Sequence, residues 1–471
     1  MSKNISFAKS DKNIAIPSNR INHHGFITGS TGSGKTVTMK VLCEKFLDHG
    51  IPVFITDIKG DFSGLIEENK KESLMRERAE RLEEQYSPKG YDTNFWDVFR
   101  KRGLPIRFSV SDIGPIFLSE LLELNDAQSN HLHSIFRFAD EEGLLLIDFK
   151  DLLSLVQFFA SNYKDLSRFG TFAPQTLAAI ERKLHSLNYQ GANLIFGEPS
   201  LESKDIMIRK DGMGIANIVD GRKFIEFPLL YSIFLTKLLS DLYEELEEVG
   251  NPDFPKLVLF FDEAHILFHK TSNQLLDKMK QAIRMIRSKG VGIYFVTQSP
   301  RDIPEDILGQ LGHRILHQMR AFTPKEIKEV KAAAQYLPEN PNFNTTEELT
   351  QLKIGQALIS ILQEDGSPTR VEKADVYPPR SDFNPVEDSV ILNRIKESSL
   401  YDKYQEDYDP ISAFEILKER ILEKQEKPAT EKDNKKKGSL VDTTVNSFLN
   451  KMAHQVGREL ARNLFGNLKK R

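Results

Sequence analysis

The sequence predicts an α/β fold on a mostly parallel, doubly wound sheet, with an all-helical insertion and a C-terminal amphipathic helix. Three observations carry that prediction. Short, nearly all-apolar runs alternate with helical patterns along the 471-residue chain. Between residues 113 and 210 the helical patterns continue without a convincing strand. Near the end, Val445, Phe448, Met452, Val456, Leu460, Leu464 and Leu468 make one apolar stripe. The expected organisation is a core split into 1–112 and 211–380, an insertion at 113–210, a charged linker region at 381–440 and the helix at 441–471.

The expected strands are 25–28, 51–56, 106–111, 214–219, 257–262, 291–298, 314–319 and 356–362, each short and apolar. Asp365-Gly366 is a hairpin signal, so 369–377 should return as an edge strand. One helix start is explicit. Thr323 can cap, Pro324 takes the first helical position and Glu326 closes a capping box. Residues 421–438 are charged and read as solvated linker.

Composition narrows the function classes. A net charge of −4 excludes a global basic excess, so nucleic-acid contact must come from a local patch or a pore lining. Cys43 is the only cysteine, which excludes an intrachain disulfide and fits a reducing, cytoplasmic setting. It lies on the apolar side of its helix and reads as a small buried hydrophobe. The polar start "MSKNISFAKSDKN" has no secretory h-region. The longest apolar-rich run, "FPLLYSIFLTKLL", contains Lys237 and is too short to span a bilayer, so no integral membrane segment is expected. The histidines are scattered without zinc spacing, and His23-His24 is expected to be structural or solvated.

The chemistry begins at "GSTGSGKT", residues 29–36, which fits G-x-x-x-x-G-K-[ST]. A short β-leaning run, "GFIT", precedes it. An amphipathic helix follows, with Val37, Val41, Leu42 and Phe46 in phase and Gly50 as a stop. Gly29, Gly32 and Gly34 free the backbone N–H groups to wrap phosphates, with Ser30, Thr31 and Ser33 between them. Lys35 should reach the β- and γ-phosphates, and the Thr36 hydroxyl should bind Mg2+. No Asn-Lys-x-Asp guanine signature is present, so ATP is expected over GTP.

"KLVLFFDEAH" at 256–265 is an apolar strand ending in two acids. Asp262 is placed to hold Mg2+ and Glu263 to orient and polarise the attacking water. Gln298 ends the next strand and could sense the γ-phosphate. Asp57 ends a strand beside the loop strand, and either joins the site or starts the turn. Phosphoryl transfer usually needs an arginine as well. Arg287 is the first candidate, acting on a neighbouring subunit, with Arg320, Arg284 and Arg314 as others.

Together the loop, "DIKGDFSG", "FFDEAH", "RMIRSKGVG" and "VTQSP" resemble the HerA/FtsK superfamily of P-loop ATPases, and more closely its bacterial HerA-like members. The resemblance extends through "SVSDIGP", "GLLLIDFKDL", "IFGEP" and "GQLGHRILHQMRAFTPKE", and so covers nearly the whole chain. It implies a RecA-like core, a homo-hexameric ring with ATP between subunits, and DNA translocation or helicase activity. By residue, it implies Lys35 and Thr36 at phosphate and Mg2+, Asp262 and Glu263 as metal-site and catalytic acids, Gln298 as sensor and Arg287 before the sensor strand. Two departures matter. His23-His24 stands where many relatives have Arg-His, so a second arginine contact is missing or Arg20 replaces it. About 24 residues precede the first expected strand, too few for the nuclease-docking β-barrel of HerA proper. A nucleotide-switched scaffold and a protein-remodelling motor remain alternatives to a DNA motor. The C-terminal helix could pack on its own core, on a neighbour or protein partner, or on an anionic membrane.

Overall fold

In the computed structural model, residues 3–269 and 273–426 are described. The chain forms two compact units, 1–106 with 201–406, and 107–200 with the segment from 407 onward. The first half of the sheet unit supplies β1 (Asn4–Lys9), β2 (Asn13–Pro17), β3 (Gly25–Thr28), β4 (Val53–Asp57), β5 (Thr93–Asp97) and β6 (Leu104–Pro105), with α1 (Lys35–Asp48) and α2 (Glu72–Arg81). The helical unit then contributes α3 (Val110–Leu121), α4 (Asp126–Glu141), α5 (Phe149–Asn162) and α6 (Pro174–Tyr189). On return come a small hairpin, β7 (Arg209–Lys210) and β8 (Met213–Gly214), then β9 (Ala216–Asp220) and α7 (Pro228–Glu245). There follow β10 (Leu257–Phe261), α8 (His265–His269), α9 (Asn273–Ile286) and β11 (Val291–Thr297). Next are α10 (Glu305–Leu308), β12 (His313–Leu316), α11 (Pro324–Ala334), α12 (Thr345–Gln351), β13 (Gln356–Ser360), β14 (Glu372–Val376), α13 (Asp388–Glu397) and α14 (Tyr401–Tyr404). The last, α15 (Ala413–Glu426), belongs to the helical unit.

Twelve strands make one sheet in the order β2-β1-β14-β13-β12-β3-β11-β10-β4-β9-β5-β6. Pairs from β12 through β6 are parallel, and the rest are antiparallel. Numbered from β3 in chain order, the central five strands β12-β3-β11-β10-β4 run 5-1-4-3-2, the doubly wound order of a RecA-like core. Their residues are buried on both faces because helices cover both. On one face Phe46 of α1 stacks with Phe260 and meets Tyr294 at a tilt. On the other, Phe295 meets Phe261 and Phe268 of α8, and Phe54 meets Phe234 of α7. Strand order reverses at β3, so the loop after it opens where ligands gather in such sheets.

Several expectations need correction. Residues 106–111 do not form a strand. Ser109 accepts from Asp112 N at 3.0 Å and its own N–H reaches the Asp112 carboxylate, a capping box that starts α3. β1, β2 and β5 are strands beyond those the sequence predicts. Because β1 pairs with β14, the 369–377 return is an interior strand and not an edge. Much of the 381–440 region is helical where linker was expected. In the sheet unit, Ile391 and Ile395 of α13 are buried and Tyr404 donates to Asp205 at 2.6 Å. In the helical unit, the buried Asp151 carboxylate accepts from Ser412 Oγ at 2.5 Å and Phe414 N at 3.0 Å, fixing the start of α15. The Thr323–Glu326 capping box and the Gly366 turn (φ 85°) form as expected. Cys43 is buried, and burial pushes its thiol pKa well up. The linker from 427 onward and the 441–471 helix lie outside the described residues. Among the described residues, no helix is long and apolar enough to cross a membrane.

Candidate functional site

The loop between β3 and α1 is walled by backbone. Gly29, Gly32 and Gly34 have φ of 149°, 80° and 112°. A Cβ on Gly29 would lie 2.7 Å from the His317 Cβ and 2.8 Å from Ser33 Oγ. One on Gly34 would lie 3.2 Å from the Gly355 nitrogen. Only glycine meets both demands. The chain after β12 braces the loop. Ser30 N donates to Gln318 O (2.8 Å), and Arg320 N donates to Ser30 Oγ (3.0 Å). That bond places the Arg320 backbone beside the loop, and the residue is exposed. Behind it, buried His317 bonds Thr38 Oγ1 (2.8 Å) and Gln356 O (2.9 Å). Burial, with help from the Lys35 charge, lowers the His317 pKa to about 4, so the brace is neutral. Lys35 Nζ donates to Gly29 O at 2.5 Å and Ser30 O at 3.1 Å. Burial and the Lys59 charge lower its pKa to about 8, against the pull of Glu263 and Asp262. Ser33 Oγ is buried without a hydrogen-bond partner, and Thr36 is half-buried in the first turn of α1.

The acids arrive from β10, whose Phe261 pairs with Thr56 of β4 and Phe295 of β11. The next residue, Asp262, therefore emerges beside Asp57. Burial raises the Asp262 pKa to about 7; Lys59 opposes this, while Glu263 and Asp57 add to it. Glu263 is buried with a left-handed backbone, φ 48°. Its Oε1 is 2.6 Å from Lys59 Nζ. Its Oε2 lies 3.1 Å from His265 Nδ1 and makes no hydrogen bond. The sequence does not single out Lys59. Burial opposes its charge, but Asp262 and Glu263 together hold its pKa above the ordinary lysine value.

Asp57 builds the turn that delivers Lys59. Its Oδ1 accepts from Gly60 N (2.8 Å) and Asp61 N (3.2 Å), and its Oδ2 from Phe62 N (2.9 Å). Of the two roles open from sequence, the structure gives it the turn. Gln298 is exposed, one residue beyond the Thr297–Thr28 pair, at the same sheet edge as the loop. Ser299 and Asp302 form a capping box there and turn the chain away.

Arg287 lies elsewhere. It precedes β11, so it sits at the amino end of the strand whose carboxyl end carries Gln298. Seven residues at about 3.3 Å each separate the two ends by roughly 20 Å. Arg284 and Arg287 are exposed and line a cavity of about 450 Å3 with Arg314, His23 and His24. Arg287 Nη1 is 3.5 Å from His23 Nδ1, and Arg20 Nη1 is 3.2 Å from His23 Nε2. His24 is structural, bonding Ile283 O and accepting from Ile293 N. Arg314 is engaged with the carbonyls of Leu311 and Tyr336. The fold thus gathers Lys35, Thr36, Asp262, Glu263 and Gln298 at one edge and excludes Arg287 from it.

Comparisons with known proteins bear on the family and the fold. The family described as Helicase HerA-like C-terminal matches residues 2–439. The DNA double-strand break repair helicase HerA of Sulfolobus acidocaldarius is 25% identical over 366 residues, covering 74% of this chain and 64% of that protein. The protein of the same name from Saccharolobus solfataricus is 27% identical over 363 residues, covering 74% and 63%. The chain thus spans just under two thirds of the length of these relatives. Among solved structures, the bacterial conjugative coupling protein TrwB matches with a TM-score of 0.52 at 13% identity, over 79% of this chain and 90% of that one. That likeness concerns the fold, which is the RecA-like α/β core expected from the sequence. The chain belongs to the Helicase HerA-like C-terminal family.

Proposed function

We propose that this protein is an ATP-hydrolysing ring motor of HerA/FtsK type, assembled from six copies and acting on DNA as a translocase or helicase. The observation that carries the reading is the convergence of Lys35, Asp262 and Glu263 on one glycine-walled loop. The residues suit a magnesium nucleotide. Ser33 Oγ and Glu263 Oε2 are buried oxygens without hydrogen bonds. Among the described residues no three His, Cys, Asp or Glu side chains cluster as a metal site. A hard cation that brings its own waters and phosphate oxygens needs no such cage. The names of the two HerA relatives support DNA as the substrate. A single cysteine, which allows no intrachain disulfide, is in keeping with a reducing cytoplasm.

Each residue then has a duty. The loop amides and Lys35 hold the β- and γ-phosphates, and the Thr36 hydroxyl and Asp262 hold Mg2+. Bound Mg2+ supplies neutralisation of phosphate charge. Glu263 accepts a proton from water as the water oxygen bonds to the γ-phosphorus. The bond from that phosphorus to the bridging oxygen breaks, and ADP leaves with its electron pair. Gln298 orients the water. Arg287 cannot reach its own site and serves that of a neighbouring copy.

Turnover of ATP with and without DNA, at one stated salt concentration, tests the reading. Strong stimulation by DNA is expected. Turnover indifferent to DNA favours a nucleotide-switched scaffold or a protein-remodelling ATPase, and no turnover at all overturns the proposal.

A further inference from the structure

The reaction above has no duty for Lys59, yet Lys59 makes the 2.6 Å contact to the acid that activates water. Its position is built. Asp57 fixes the three amides that follow Lys59. Gly60 takes φ 81°, and a Cβ there would lie 3.0 Å from Arg222 Cδ. Arg222 in turn grips Asp220, at the end of β9, through Nε (2.9 Å) and Nη2 (2.6 Å). The backbone under Lys59 is therefore held from two strands, while the side chain is long and about one-third exposed against 8% for Glu263. Two lysines, Lys35 and Lys59, face the same two acids. A phosphoryl group held by Lys35 brings more negative charge into that field than one carboxylate carries.

We propose that Lys59 is a γ-phosphate-dependent latch on Glu263. Without a terminal phosphoryl group, the ammonium holds the Glu263 carboxylate in an ion pair and keeps it from taking a proton from water. With one, the ammonium moves to the phosphoryl oxygens and Glu263 is released. The latch confines proton acceptance to the triphosphate state. Lys59 acts through Glu263 and is a positioning residue. The inference rests on the nucleotide-hydrolysing reading of the site.

The test measures binding of magnesium with ADP, and with a non-hydrolysable ATP analogue, to the full chain. Lys59→Met is expected to weaken the analogue by about tenfold or more, the worth of one charge-assisted hydrogen bond, and ADP by less than about twofold. Glu263→Gln should tighten the analogue, because the ammonium is no longer held. The double variant should behave as Lys59→Met alone, and Lys59→Arg should restore the preference for the analogue over ADP. Independent effects of the two substitutions, or equal losses for analogue and ADP in Lys59→Met, overturn the latch. If the unaltered chain binds neither nucleotide, the reading of the site fails and the latch with it.

Discussion

At the carboxyl ends of the central strands, Lys35, Asp262 and Glu263 are buried, and Lys59 reaches in from a turn to within 2.6 Å of Glu263. At the amino ends of the same strands, arginines and histidines line an open cavity, and Arg287 is exposed. The first end is electrostatically self-contained; the second has cations with no acid among its lining residues. On the proposed function, the carboxyl edge holds the phosphate-binding half of a site and the amino edge a charge-stabilising half. On that reading the two meet only if one copy's amino edge faces another's carboxyl edge, a head-to-tail contact that makes a ring where its rotation closes.

Substitutions at the two ends should therefore fail differently. Lys35→Ala removes the cation of the loop and should abolish nucleotide binding in equilibrium titration; retained binding would show that the loop is not the phosphate site. Arg287→Ala should lower turnover by about 10³–10⁵ and leave nucleotide binding to the single chain intact. A loss of binding there would erase the contrast between the two ends. Glu263→Gln should keep binding and lose about 10²–10⁴ in rate. Near-normal turnover removes that acid from the mechanism.

The smallest effect is on stability. Burial keeps the Asp262 proton up to about 7 in the folded chain, against an ordinary value of 3.8. The stability from this group is complete below 3.8 and is lost as the pH rises through 7. Asp262→Asn should thus melt a few degrees higher than the unaltered chain at pH 8 without nucleotide, with a gap that narrows as the pH falls from 7 toward 4. A gap independent of pH contradicts a buried, charge-burdened Asp262.

The two ends also differ in how far the sequence reveals them. The loop, Asp262 and Glu263 are legible because local motif and strand context coincide. Lys59 is not, since a lysine in a turn is common and its partner is about 200 residues away in the chain. Its one cue was Asp57 followed by Gly60, a side-chain-capped turn at a strand end. For Arg287 the sequence gives the residue but not the edge, which follows only from β11 running parallel to β3. Elsewhere a usable signal was present. Ile5 and Phe7, then Ile14 and Ile16, alternate on either side of a polar turn, as β1 and β2 require. At 106–111 the alternation of Ile106, Phe108 and Val110 suggests a strand, but Ser109 with Asp112 marks a helix start. Charge alone suggested a linker at 381–440, because burial of Leu417 and Ile421 depends on α5 and cannot be seen locally.

The central claim is that the two ends serve one reaction from different copies. Mixing inactive Glu263→Gln chains with inactive Arg287→Ala chains tests it most directly. In mixed rings, some interfaces pair an intact Glu263 with an intact Arg287, so ATP turnover should return in proportion to their number. Rings shown to contain both chains, with turnover no higher than either alone, would contradict the account.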